Sequence, residues 1–177
     1  MLHGFRMSYK GGIHMYDRNS VASFQNVFFN RSMTGIRMYD RYLITGATGF
    51  LGRAVSQKLA SCSLPVRALV LSNDPYAEQL PKRVQRVTGD VLDKESLEAF
   101  FDGAGIHTCV IHCAGIISIA SHPAPILQRV NVDGTKRVLD RCRTHGVDKL
   151  IYVSSVHALP EKPKGQTITE DCRLSPD

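Results

Sequence analysis

Tryptophan is absent from the 177 residues, glycine recurs with no period, and nothing in the chain stays apolar for long. The most apolar stretch, Thr108 to Ala120, is too short to cross a bilayer and carries His112 in mid-run, which excludes a membrane-spanning helix and any membrane partner on that ground. Without a glycine period there is no collagen-like repeat, and the helical patterns are too brief for a coiled coil. Five cysteines cannot all pair, so a disulfide-stapled miniature is excluded and a reducing, cytoplasmic setting is expected. The remaining profile, 43% apolar and 21% charged, is that of a globular domain rather than of a disordered chain.

Acidic residues are scarce too, but only at one end. Up to Arg37 the basic residues Arg6, Lys10, Arg18, Arg31 and Arg37 face Asp17 alone, a balance of +4, which leaves only +2 of the formal +6 for the rest. The body is therefore nearly neutral and its Lys and Arg are scattered, which argues against a nucleic-acid partner, whose phosphates need a clustered basic face. Residues 1–37 show neither helical nor strand periodicity and are expected to form a flexible extension. Their Arg-rich character lacks the sustained amphipathic pattern of a transit peptide, and Met38, just before a strand-like run, would make a natural start. Residues 38–177 are left as the folded domain.

From Tyr39 onward short β-branched runs alternate with longer amphipathic ones, the pattern of parallel strands joined by helices. Strands are expected over Tyr42–Thr45, Val66–Leu71, Val84–Thr88, Thr108–His112 and Lys149–Ser154. Leu51, Ala54, Val55 and Leu59 recur at helical spacing, as do Leu97, Phe100 and Phe101 after an N-cap at Asp93. A third helix is expected from about Ala124 to His145, burying Leu127, Val130, Gly134, Val138 and Cys142 and ended by Gly146. The fold class this predicts is α/β, a doubly wound parallel sheet, with the chain stopping after the fifth strand.

The most specific feature is Thr45-Gly46-Ala47-Thr48-Gly49-Phe50-Leu51-Gly52, between the first strand and the first helix. Gly46 permits the tight turn off the strand, Gly49 lets backbone amides reach a pyrophosphate with no Cβ in the way, and Gly52 lets the helix pack closely. Thr48, Phe50 and Leu51 belong to the same loop and first turn, where the helix N-terminus supplies partial positive charge. A Walker A loop would need Gly-Lys-Ser/Thr where the chain has Leu51, Gly52 and Arg53, so nucleotide triphosphate hydrolysis is disfavoured. No metal site is expected. On an extended strand His107, Cys109 and Cys113 share one face and His112 the other, with no second cysteine pair to close a tetrahedral set.

Further motifs follow in order: Gly89-Asp90 with Val91 next, His112-Cys113-Ala114-Gly115, Asn131-Val132-Asp133-Gly134-Thr135, and Tyr152-Val153-Ser154-Ser155. Together with the glycine loop they resemble the extended short-chain dehydrogenase/reductases, a group that includes NAD-dependent epimerase/dehydratases, dihydroflavonol reductases and 3β-hydroxysteroid dehydrogenases. The resemblance runs from Tyr39 to about Leu159 and implies a Rossmann-like domain that binds NAD or NADP. It implies that Gly46, Thr48, Gly49, Phe50, Leu51 and Gly52 hold the diphosphate end and that Asp90, with Val91, meets the adenine. Ala114 and Gly115 would pass beneath the ribose. Ser155, with Ser154 as the fallback, would be the catalytic serine that hydrogen-bonds the substrate oxygen, while Asn131 would be either catalytic or a structural tie from helix to strand. The bland alternatives are turn residues at Asp90 and Gly115 and a strand-end cap at Ser155.

The choice between NAD and NADP stays open, because Leu71-Ser72-Asn73-Asp74 puts neither an acid nor an arginine at the tip of the second strand, although Arg53 or Asp74 could reach it. The family's proton-exchanging Tyr-x-x-x-Lys is missing: four residues beyond the tyrosines at 9, 16, 39, 42, 76 and 152 stand Ile13, Ser20, Leu43, Gly46, Leu80 and Val156. The expectation is a cofactor-binding fragment of an oxidoreductase or epimerase, inert as it stands, whose full-length form takes a small-molecule substrate and forms a homodimer. A non-catalytic NAD(P) sensor is the alternative.

Overall fold

A computed structural model of the chain describes residues 39–117, 125–155, 159, 162–169 and 172. The expected extension over 1–37 and the expected helix start at Ala124 lie outside the described residues. One compact unit runs to Val153, and Ser154 onward belongs to another. The first unit holds five strands: β1 (Arg41–Thr45), β2 (Val66–Val70), β3 (Gln85–Thr88), β4 (Thr108–His112) and β5 (Lys149–Tyr152). All pair in parallel in the order β3-β2-β1-β4-β5, so the strand order reverses between β1 and β4. Ligands of such sheets bind outside the carboxyl ends of the strands at that reversal.

Burial explains the strand sequences. β2 and β4 are buried along their whole length, flanked by a strand on each side, which is why they are mostly apolar, with the buried polar groups Arg67, Thr108 and His112 each hydrogen-bonded. β3 and β5 lie at the edges and are largely open. Leu43, Leu69 and Val110 of the sheet pack with Leu97, Phe100 and Phe101 of α2 (Lys94–Phe101) and with Val138 and Cys142 of the last helix. The two phenylalanine rings meet edge to face at 5.4 Å. Tyr42 and Ile44 alternate with Leu43 and are buried as well, so β1 is covered on both faces. α1 (Phe50–Ser61) lies against β1 and β2 through Gly52, Ser56, Leu59 and Ala60, while Ala54 of its expected apolar set is exposed.

The expected single helix ending at His145 is three segments: α3 (Pro125–Leu127), a π-helical stretch Gln128–Gly134, and α4 (Thr135–Thr144). Its buried positions are Gly134, Val138 and Cys142, with Leu127 and Val130 only half-buried. Gly134 is small because Val91 is there: a Cβ would sit 2.8 Å from Val91 Cγ2. The carboxyl end of α2 is closed by two strand guanidiniums, with Arg67 Nη1 donating to the Phe100 and Asp102 carbonyls and Arg41 Nη1 to that of Asp102. Burial pushes the Arg67 pKa down, with Arg41 adding to the effect.

His112, at the end of β4 and 1% exposed, ties three elements together. Its Nδ1 lies 2.5 Å from Thr45 Oγ1 on β1 and its Nε2 2.9 Å from Thr135 Oγ1 on α4. The protons can be assigned. Thr135 Oγ1 donates its only hydrogen to the Asn131 carbonyl at 2.7 Å, so it accepts from Nε2–H, and Thr45 Oγ1 then donates to Nδ1 while accepting from the Ala114 N–H. The ring is therefore neutral, and burial pushes its pKa down to about 4. Because the folded value lies below the unfolded one of about 6.5, the unfolded state takes up the proton first. Stability is thus full above about pH 6.5, falls as pH drops towards 4, and loses roughly 3 kcal/mol over that window. Urea unfolding at a series of pH values should show this loss and show it shrink in His112→Gln; an unchanged slope would disprove the neutral assignment.

Candidate functional site

At the carboxyl end of β1 the chain turns through Gly46, whose φ of +64° is a left-handed conformation that side chains disfavour. The position is closed to a side chain for a second reason: a Cβ there would lie 2.6 Å from the Ala114 nitrogen and 2.7 Å from the Cys113 carbonyl carbon. Gly52 is more confined still, since its Cβ would fall 2.1 Å from the Gly46 carbonyl oxygen. The surface it packs against is the loop itself, one step closer than the sheet. Gly49 differs from both. A Cβ there would meet only the Gly46 oxygen, at 3.3 Å, so its outer side faces open space.

Gly49 is also the N-cap of α1, and that helix has no side-chain cap and no acidic residue in its first turn. The contrast with α2 is instructive: its N-cap Asp93 accepts from the Glu95 and Ser96 backbone N–H groups, as its sequence predicted. A helix that opens bare beside a glycine loop leaves its first-turn donors and partial positive charge for a ligand anion, and the space above Gly49 suits a diphosphate. Phe50 and Leu51 would offer backbone N–H groups; the Phe50 ring is 89% exposed. These residues fit a dinucleotide.

The other expected residues have distinct settings. Ala114 is half-buried and Gly115 exposed, and a Cβ on Gly115 would touch Asn131 Oδ1 at 3.4 Å. Asn131 lies within the π-helical stretch and clamps the strand-end loop, accepting from the Ile116 N–H at 2.8 Å and donating to the Ile116 carbonyl at 2.9 Å. The clamp uses one amide N–H and one lone pair of the side chain. Asp90 closes a turn, one carboxylate oxygen accepting from the Leu92 N–H at 2.9 Å, and Val91 is spent in the core. Thr48 donates to Asp74 Oδ2 at 2.5 Å, a contact not foreseen from sequence. Ser154 and Ser155 follow β5 and are exposed, in the second unit.

Two thiols near the loop are quiet. Burial pushes Cys113 up to about 11 and Cys109 up to about 12, so both stay protonated as small buried groups. Among the described residues no helix is long and apolar enough to cross a membrane, and no group of three His, Cys, Asp or Glu side chains is placed to hold a metal ion.

Comparison with known proteins agrees with this geometry. The 3-beta hydroxysteroid dehydrogenase/isomerase family model matches residues 43–174. The 3 beta-hydroxysteroid dehydrogenase type 7 of Homo sapiens is 33% identical over 131 residues, covering 70% of this chain and 35% of the relative. A putative dihydroflavonol 4-reductase of Synechocystis is 31% identical, covering 76% of this chain and 38% of its own. Among solved structures, the UDP-glucose 4-epimerase of Thermus thermophilus, in complex with NAD, superposes with a TM-score of 0.68 at 32% identity, over 77% of this chain and 44% of that one. The chain thus spans little more than a third of the length of the curated relatives it matches. With its parallel sheet, its glycine loop and a family match over most of its length, the chain belongs to the 3-beta hydroxysteroid dehydrogenase/isomerase family of extended short-chain dehydrogenase/reductases.

Proposed function

We propose that this chain is the dinucleotide-binding part of an NAD(P)-dependent oxidoreductase or epimerase acting on a small molecule that carries a carbinol or carbonyl carbon. The observation that carries the reading is the bare first turn of α1 beside the open side of Gly49, where α2 by contrast carries the Asp93 cap. When bound, the nicotinamide supplies or accepts a hydride at its C4. Gly46 and Gly52 keep the loop tight enough to aim the first-turn N–H groups at the diphosphate, and Ala114 and Gly115 give the ribose a floor without large side chains. Asn131 serves by holding that floor through Ile116 rather than by touching the reacting atoms. Ser155, or Ser154 beside it, has the hydroxyl that the family pattern assigns to the reacting oxygen.

No Tyr-x-x-x-Lys occurs in the 177 residues, so no such pair is present to exchange the substrate proton. The chain therefore holds cofactor without turning it over. The same absence favours a second reading, a non-catalytic NAD(P) sensor, which shares the binding step and differs in needing no further segment for its role. The purified chain should show no substrate-dependent change in NAD(P)H absorbance with hydroxysteroid, dihydroflavonol or UDP-sugar substrates; measurable turnover would refute the inert reading.

Two glycine substitutions separate folding from binding. Gly52→Ala forces a Cβ into a backbone oxygen and should lower stability by about 1–3 kcal/mol or more. Gly49→Ala adopts its backbone angles without strain and should change stability by less than about 1 kcal/mol, yet weaken NAD+ binding about tenfold by filling the diphosphate space. Thermal unfolding and calorimetric titration read the two effects, and an undiminished affinity in Gly49→Ala would count against the diphosphate site.

A further inference from the structure

We draw no further inference here: the strongest candidate, the groove between α2 and α4 lined by Lys94, Leu97, Arg137, Asp140 and Arg141, carries nothing, because Asp140 stands among its three cations, Arg137 and Arg141 already bond the Leu92 carbonyl and the Glu98 carboxylate, and nothing in the structure shows what covers it.

Discussion

A Cβ on Gly46 would sit 2.6 Å from the Ala114 nitrogen, and that absence of room sets the geometry of the carboxyl end of the sheet. β1 and β4 are neighbours at the strand reversal, so their ends must leave in different directions within one residue of each other. Only a left-handed turn without a side chain allows this at Gly46. The turn carries the Gly46 carbonyl beneath Gly52, and the second close contact then fixes where α1 begins and where its axis points. The direction of the bare helix end is therefore a consequence of backbone packing, with no charged side chain needed to aim it.

A second layer of hydrogen bonds supports the other side of the turn. Thr45 uses its hydroxyl as donor to His112 and as acceptor from Ala114, and its carbonyl accepts from the Cys113 N–H at 3.1 Å. Through His112 and Thr135 the same set reaches the Asn131 carbonyl, and the Asn131 side chain returns to Ile116. The loop that carries Ala114 and Gly115 is thus held at both ends. The π-helical stretch fits this role: wider turns of this kind occur mostly where a helix must present a side chain out of its regular register. Here they serve a side chain that bonds both backbone groups of one residue. The neutral His112 is what lets the set close, since a second ring proton would leave two donors facing at Thr45.

Much of this was legible in the sequence, and the division follows the range of the interaction. The strands came within two residues of their expected spans because burial on both faces writes itself into consecutive apolar residues. The Asp93 cap and the glycine loop are local too, each decided within a few residues. The break in the long helix is not, because Asn131 meets its partner Ile116 across a strand-end loop, and a helical pattern in residues 124–145 carries no sign of that bond. Nor could spacing reveal that Thr45 meets His112, 67 residues away, or that Thr48 meets Asp74, 26 residues away. A signal for the first did exist: a threonine and a histidine directly after the aliphatic pairs Leu43-Ile44 and Val110-Ile111, at the ends of their two strands. At Asp90 the family resemblance implied an adenine contact and the residue type a turn, and the carboxylate does close a turn on Leu92.

The two sides of the glycine loop differ in how freely they can change. On one side every position is closely bounded: Gly46 by the Ala114 backbone, Gly52 by the Gly46 backbone, Gly134 by the Val91 side chain, and the strand-end loop by a closed set of hydrogen bonds. Substitution there disturbs the fold before it reaches any ligand. On the β2 side the chain leaves the sheet through Leu71, Ser72 and Asn73, all exposed, and Asp74 is held there by the Thr48 hydroxyl and the Tyr76 N–H. Loops of that kind change with little effect on stability, whereas a scaffold packed to backbone contact does not. The tight side is thus set by the architecture itself, and a chain that turns from β1 into α1 in this way must keep Gly46 and Gly52 free of side chains.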